Sequence, residues 1–366
     1  MSITVPDWVT YPDEDWEQIT PEETGLDPDG FGQWIAGLDV RGASFGGEDH
    51  SGNKYGAVLT RGGYLVHSWG DLHYDHHTAS VGKALTWAVL GFAVMDGLID
   101  PDEPINRYWT GHGELSHPHK YLTEGHHKTL TWRHLVGKRT ESLHWGGFPM
   151  EIGNRWAEKR TGLEERDAVP GVAEWANWTG DPYYDCYSHV EPGTKGLYSS
   201  AGFWRLGQAL THVWGRDIKD VVQERLFDRI GIPADRWDWF SGGWVKDQKY
   251  FYPTLPDSYT YLDPPYEIAG NVVRSGPGWV VWSASDMARF GHLNATRGRW
   301  KGEQIIDPDW LRPHSGGNKS GSSGESTYFT ALGVVTTEGL PEFRHAIETR
   351  SILPEELFVG PVSRRP

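Results

Sequence analysis

His76–Ile105 reads HHTASVGKALTWAVLGFAVMDGLIDPDEPI, and its first half decides what the rest of the chain is. From Ser80 to Asp96 the run is apolar on nearly every side, which predicts a helix in the middle of a protein rather than on its surface. Gly97 stands where a helix C-terminus takes a left-handed residue, and the Asp-Pro turn after it does not continue a helix. Ser80 and Lys83 stand at the start. Residues i and i+3 share a helical face, which brings the ammonium toward the hydroxyl. Unpaired N–H groups at a helix start favour negative charge on a serine oxygen or on a carbonyl under attack. A lysine desolvated there loses part of its preference for the charged form and can take the serine proton. Position alone supports equally a serine N-cap with a lysine whose head snorkels to water.

The same S-x-x-K pattern occurs at Ser51–Lys54, within GGEDHSGNKYG. About one such match is expected by chance in a chain of this composition. Here a glycine-rich turn leads into a strand and nothing fixes the serine relative to the lysine, so it reads as a solvated loop.

Outward from the buried run, YGAVLT, RGG and YLVHSWG predict a β-hairpin on its N-terminal side. LDPDGFGQWIAGLDV before it predicts a short amphipathic helix with Pro28 in the first turn. Between Asp100 and about Pro265, TLTWRHLVG, VAEWANW, SSAGFWRLGQALTHVWG and IKDVVQERLFDRIGI predict helices among Gly/Pro/Trp loops, and strand signals are scarce. A helix in SASDMARFGHLNA, boxed by Ser283 and Asp286, precedes strands in STYFTALGVVTTEG and a closing helix in LPEFRHAIETR. Strands at both ends around a helical middle predict an antiparallel sheet built from the two termini, with a mainly helical lobe inserted.

Composition excludes partners more than it names one. The 366 residues carry a formal charge of −16 with no basic stripe, which argues against a nucleic-acid backbone or an anionic membrane surface as partner. Cys186 is the single cysteine, so neither an internal disulfide nor a cysteine zinc site can form. No basic-then-apolar leader is visible and no stretch reaches the roughly 18 apolar residues of a membrane helix. The expected location is cytoplasmic, or periplasmic or secreted if a signal has been removed. The 20 Trp are either packing in large irregular loops or walls of a pocket for an apolar or sugar-like ligand.

The order of GAVLTRGGYLVHSWG, the buried run, HKTLTWRHLVGKR, EPGTKGLYSSAGFWRLGQALTHVWG, RLFDRIGIPADRW and SASDMARFGHLNATRGRWKGEQIIDPDWL resembles the serine β-lactamase and penicillin-binding-protein superfamily, closest to its class C β-lactamase and esterase branch. The resemblance runs from the first hairpin to about Leu311. It implies an α/β (α+β) β-lactamase/transpeptidase-like fold, with residues 1–78 and 267–366 as the sheet lobe, 79–266 as the mainly helical lobe, and the site in the cleft between them. Ser80 is then the nucleophile, Lys83 its base, and Tyr198 in PGTKGLYSS a base or proton shuttle beside the lysine. Ser200 stands where the family pattern has asparagine, and a hydroxyl cannot orient an acylamido substrate as an amide does. His314, Ser315, Gly316 and Gly317 are the match to the third motif, with the Gly317 N–H joining that of Ser80 in an oxyanion hole. They follow DPDWLRP where relatives usually insert another strand, and a turn without catalytic role fits them as well. Trp145 in SLHWGGFP is a candidate pocket wall.

The histidines of HYDHH (His73–His77), HPH (His117–His119) and GHH (Gly125–His127) lack the helical spacing with a carboxylate that a metal site needs, and are expected as exposed loop residues. His76 and His77 are placed at the cleft rim. No metal or organic cofactor is implied. The expected function is a serine hydrolase cleaving a small-molecule ester or amide through an acyl-enzyme on Ser80, most like a carboxylesterase. Its alternatives are β-lactamase or D-aminopeptidase/transpeptidase-type activity, a binding protein that has lost the chemistry, and a carbohydrate-active enzyme with paired carboxylates. The oligomeric state is left open.

Overall fold

The computed structural model describes residues 5–37, 56–78, 80–111, 122–123, 125–136, 192, 200–241, 267–311, 359 and 362–363. At its centre is the predicted apolar helix, Lys83–Met95, entered through one 3-10 turn, Ser80–Gly82. Every residue from Lys83 to Ala93 is buried, as expected of a run with no polar face. The helix lies against two of the other predicted helices, Ser200–Trp214 and Ile218–Val222. It stops at Gly97, whose φ of 70° lets its own N–H reach Val94 O (3.0 Å) and the Leu98 N–H reach Ala93 O (2.9 Å).

Strands β1 (Gly56–Arg61) and β2 (Tyr64–Gly70) form the predicted antiparallel hairpin. Its two turn residues, Gly62 and Gly63, both have positive φ, which a two-residue turn matched to strand twist requires. Residues 17–19 add to the free edge of β2, with the Leu65 N–H on Glu17 O (2.8 Å) and the Ile19 N–H on Leu65 O (3.1 Å).

Strand β3 (Asp75–Thr78) leads directly to the 3-10 turn. Its partner comes from far along the chain. After β4 (Asp238–Trp239) and a small hairpin of β5 (Glu267–Ile268) and β6 (Asn271–Val272), β7 (Val280–Ser283) pairs antiparallel with β3 on one side and β4 on the other. Thr78 closes the junction. Its hydroxyl donates to Val280 O (2.7 Å) and accepts from the Trp282 indole (2.9 Å), so the entry to Ser80 is tied to β7 by side chain as well as backbone.

Ser283 caps the next helix, Ala284–Ala295, as expected: the Asp286 N–H donates to Ser283 Oγ (3.1 Å), and the Ser283 hydroxyl itself, in place of its backbone N–H, donates to the Asp286 carboxylate (2.7 Å). The fully buried Asp286 also pairs with Arg236, so its charge is spent on structure. On the same helix the His292 Nε2–H donates to the Thr10 carbonyl (2.8 Å), within a ring of Tyr11, Trp16 and Trp300 at centroid distances of 5.2, 6.3 and 5.6 Å. A carbonyl can only accept, which assigns the proton to Nε2. The β8 (Arg299–Trp300) and β9 (Glu303–Gln304) hairpin supplies Trp300.

The helix predicted in IKDVVQERLFDRIGI forms with a π-helical stretch, Gln223–Phe227, between α-helical Ile218–Val222 and Asp228–Ile230, and Gly231 ends it at φ 79°. Asp217 caps its start and is held by the Arg274 guanidinium (2.6 Å). The elements predicted in VAEWANW, STYFTALGVVTTEG and LPEFRHAIETR, and Ser51–Lys54, lie outside the described residues, as does Cys186.

Candidate active site

The two readings of the Ser80–Lys83 pair differ in where each side chain must be. A serine N-cap would sit one position before the α-helix, but the position there is Gly82, which has no side chain to cap with. Ser80 instead heads the 3-10 turn, and a 3-10 turn nearly eclipses positions i and i+3, which sets positions 80 and 83 on one face. Snorkelling is absent too: Lys83 is 1% exposed. Its Nζ donates to the Pro277 carbonyl (2.8 Å) and lies 5.5 Å from the centre of the Phe203 ring. Burial pushes the Lys83 amine well below the ordinary lysine range, because water that would solvate an ammonium is excluded.

The wall facing Lys83 is the loop Ser275–Gly278, which the sequence motifs did not single out. Its contribution is backbone, and a carbonyl carries no residue-type signature. The one visible trace is the Ser-Gly-Pro-Gly cluster ahead of β7. The Gly278 N–H closes the turn on Ser275 O (3.0 Å), and the Trp239 indole donates to Ser275 O (2.8 Å) and Gly278 O (3.0 Å). Trp279 follows at φ 61°, a left-handed conformation that costs a bulky residue on the order of 1–3 kcal/mol. It is held there because the Phe240 N–H bonds Trp279 O (3.1 Å) while Phe240 O accepts from the Ser275 N–H (2.6 Å).

Backbone meets backbone on both sides of this loop. A Cβ on Gly276 would stand 1.9 Å from Phe203 O, and one on Gly82 would stand 2.9 Å from Gly278 Cα. At Gly82 the Val280 Cγ2 methyl is nearer still, at 2.6 Å, whereas at Gly276 the nearest atoms are backbone alone. Gly276→Ala is therefore expected to destabilise by roughly 1–3 kcal/mol, read as a lowered midpoint in denaturant unfolding. A midpoint equal to wild type would show that the loop is not wedged against the Phe203 helix.

Of the other candidates, Ser200 begins the helix that carries Phe203, one turn before it. Tyr198, Trp145 and the His314–Gly317 motif lie outside the described residues. The histidines divide. His73 is exposed, as expected, and His76 accepts the Gly56 N–H (3.0 Å) at the start of β1. His127, expected in an exposed loop, is buried at 2%, in the 3-10 turn Gly125–Thr129, where its carbonyl accepts the N–H of the buried Leu130 (3.1 Å). Among the described residues no three His, Cys, Asp or Glu side chains gather as a metal site, and no helix is long and apolar enough to cross a membrane.

A buried helix opening on S-x-x-K, a lysine inside it, and a sheet strand closing over its start define the serine β-lactamase type of fold. The β-lactamase family model matches residues 75–337, more than half of the chain, and the chain belongs to that family. Similar solved structures include a provisional 6-aminohexanoate-dimer hydrolase from Bacillus anthracis, at 14% identity, with 84% of this chain and 70% of that one covered and a TM-score of 0.46. They include the octameric penicillin-binding protein homologue from Pyrococcus abyssi, at 14% identity, 70% and 54% coverage and a TM-score of 0.41. A β-lactamase/D-alanine carboxypeptidase from Pseudomonas syringae is similar at 16% identity, 70% and 63% coverage and a TM-score of 0.41. No curated protein matches the chain.

Proposed function

We propose that this protein is a serine hydrolase that cleaves an ester or amide through an acyl-enzyme on Ser80, most like a carboxylesterase, with the site between a sheet lobe (residues 1–78 and 267–366) and a mainly helical lobe (79–266). One observation carries the proposal: the Lys83 amine is buried, depressed in basicity and anchored by a carbonyl, in place of reaching water. Lysine burial on this scale is costly to a fold and serves a proton acceptor well.

Lys83 takes the Ser80 hydroxyl proton as Oγ bonds to the substrate carbonyl carbon, whose π electrons move onto oxygen. The backbone N–H groups of Ser80 and Gly317, in the His314–Gly317 segment, receive that oxyanion. The carbonyl re-forms as the bond to the leaving group breaks, and the leaving alkoxide or amine takes the proton back through Lys83 and Tyr198. Water repeats the sequence on the acyl-serine and frees the acid. Ser200 and Trp145 are assigned to substrate contact. A hydroxyl at 200 in place of a carboxamide favours substrates without an acylamido side chain, hence an esterase before a β-lactam or peptide hydrolase.

The test is covalent labelling. A fluorophosphonate is expected to add once per chain, with the mass shift mapping to Ser80, and labelling is expected to disappear in Ser80→Ala and persist in Ser51→Ala. Folded wild-type protein that takes no label at Ser80 would overturn the proposal.

A further inference from the structure

We propose that Thr86, one turn beyond Lys83, is a positioning residue for that lysine, acting through the Gly276–Pro277 peptide. The proposal rests on the function proposed for Ser80 and Lys83. Thr86 is wholly buried, and its hydroxyl donates to Gly276 O (2.7 Å), while the Lys83 Nζ donates to the next carbonyl, Pro277 O (2.8 Å). Residues 83 and 86 share a helical face. Two adjacent carbonyls of one loop are thus held by two side chains of one helix.

The hydroxyl's choice of partner is informative. A threonine within or ending a helix commonly bonds back to the carbonyl four residues earlier. Thr211 does so to Gly207 O (2.8 Å) and Thr296 to His292 O (3.0 Å). Thr86 reaches out of its helix instead, to a loop 190 positions away.

What it grips offers only its carbonyl side. Pro277 lacks an N–H, so the plane of the Gly276–Pro277 peptide can be hydrogen-bonded only through its carbonyl. The loop itself cannot drift, because Gly276 abuts Phe203 O and Gly278 abuts Gly82. Among the described residues, removing the hydroxyl takes from a buried acceptor its side-chain donor, and a neighbouring donor able to answer it is the Lys83 Nζ. An amine drawn toward Gly276 O turns its lone pair from position 80. A second carbonyl acceptor also favours its ammonium form. Among the described residues, the Pro277 carbonyl and the Phe203 ring face this amine, and Tyr198 is the titratable group assigned beside it.

Thr86→Val keeps the shape and deletes the hydroxyl, and Thr86→Ser restores it. Fluorophosphonate labelling of Ser80, followed by stopped flow from acid to alkaline pH, is expected to slow about 10- to 100-fold in Thr86→Val, with the rising limb moved about one pH unit upward. Thr86→Ser is expected to restore both rate and limb. If Thr86→Val does not fold, Thr86→Cys, a much weaker donor, is expected to show the same two changes against Thr86→Ser. A wild-type rate and limb in the variant lacking the donor would remove the proposal. So would slowing with an unmoved limb, equal in Thr86→Ser, which reports packing alone. A wild type that never labels at Ser80 removes the proposed function and takes this inference with it, whereas a labelled wild type indifferent to Thr86 removes this inference alone.

Discussion

Lys83→Met is expected to slow acylation of Ser80 by about 10²- to 10⁴-fold and to leave the protein folded. The two halves of that expectation have separate causes. Activity falls because methionine has no basic atom, and nothing solvated can substitute at a position with 1% exposure. Stability changes little because opposing effects act on the same site. The variant loses the hydrogen bond to Pro277 O, at a cost of about 1–3 kcal/mol. It also relieves the burial of an ionisable amine, which offsets much of that cost, and methionine fills an irregular space of similar length. The pH profile separates this from simple damage. Wild-type acylation should rise as pH passes through the lowered pKa of Lys83 and then level, since only the neutral amine accepts a proton. The residual rate of Lys83→Met should lack that rise. A wild-type labelling rate in folded Lys83→Met would remove the lysine from the chemistry.

Between about pH 6.5 and about pH 4 the folded state is expected to lose about 3 kcal/mol through His292 alone. Burial pushes His292 down to about 4 from an ordinary 6.5, opposed in part by its hydrogen bond to Thr10. The sign follows from which state holds more protons. In this window the unfolded chain carries a protonated His292 and the folded chain a neutral one, so protons favour unfolding as pH falls. Above about 6.5 both states are neutral, and below about 4 both are charged, so the contribution is flat on either side. The structural consequence is local. His292 joins the Ala284–Ala295 helix to the N-terminal segment through Thr10, whose own N–H bonds Gly62 O (2.8 Å) in the hairpin turn. His292→Gln keeps a donor for the Thr10 carbonyl and cannot titrate. Its denaturant-unfolding free energy should fall less over that window by about the same 3 kcal/mol. Equal pH slopes in the two proteins would show that His292 does not titrate as its burial requires.

The elements legible in the sequence are those whose signal is local. The hairpin was written in two apolar runs around glycines, and the helix cap in Ser283 and Asp286 three residues apart. Asp217, by contrast, caps a helix start that carried no named signal, and its tie to Arg274 spans 57 positions. His127 was expected in an exposed loop, since its cluster lacks the spacing with a carboxylate that a metal site needs. It is inside a 3-10 turn and 2% exposed, and burial is a property no window of that length contains.

Sequence by itself determined that a helix apolar on every face lies at the centre, with Ser80 and Lys83 three positions apart at its entry, and pointed to the family. Helical periodicity and side-chain polarity are properties of neighbours in the chain, so they survive without a fold. Tertiary structure alone decided between a snorkelling lysine and a buried one. That choice depends on whether a carbonyl 194 positions away occupies the place where water would be. Pro277 O does, and Thr86 holds the peptide before it. The energy of an amine is set by what surrounds it, and the surroundings of Lys83 are assembled only when β7 closes over β3.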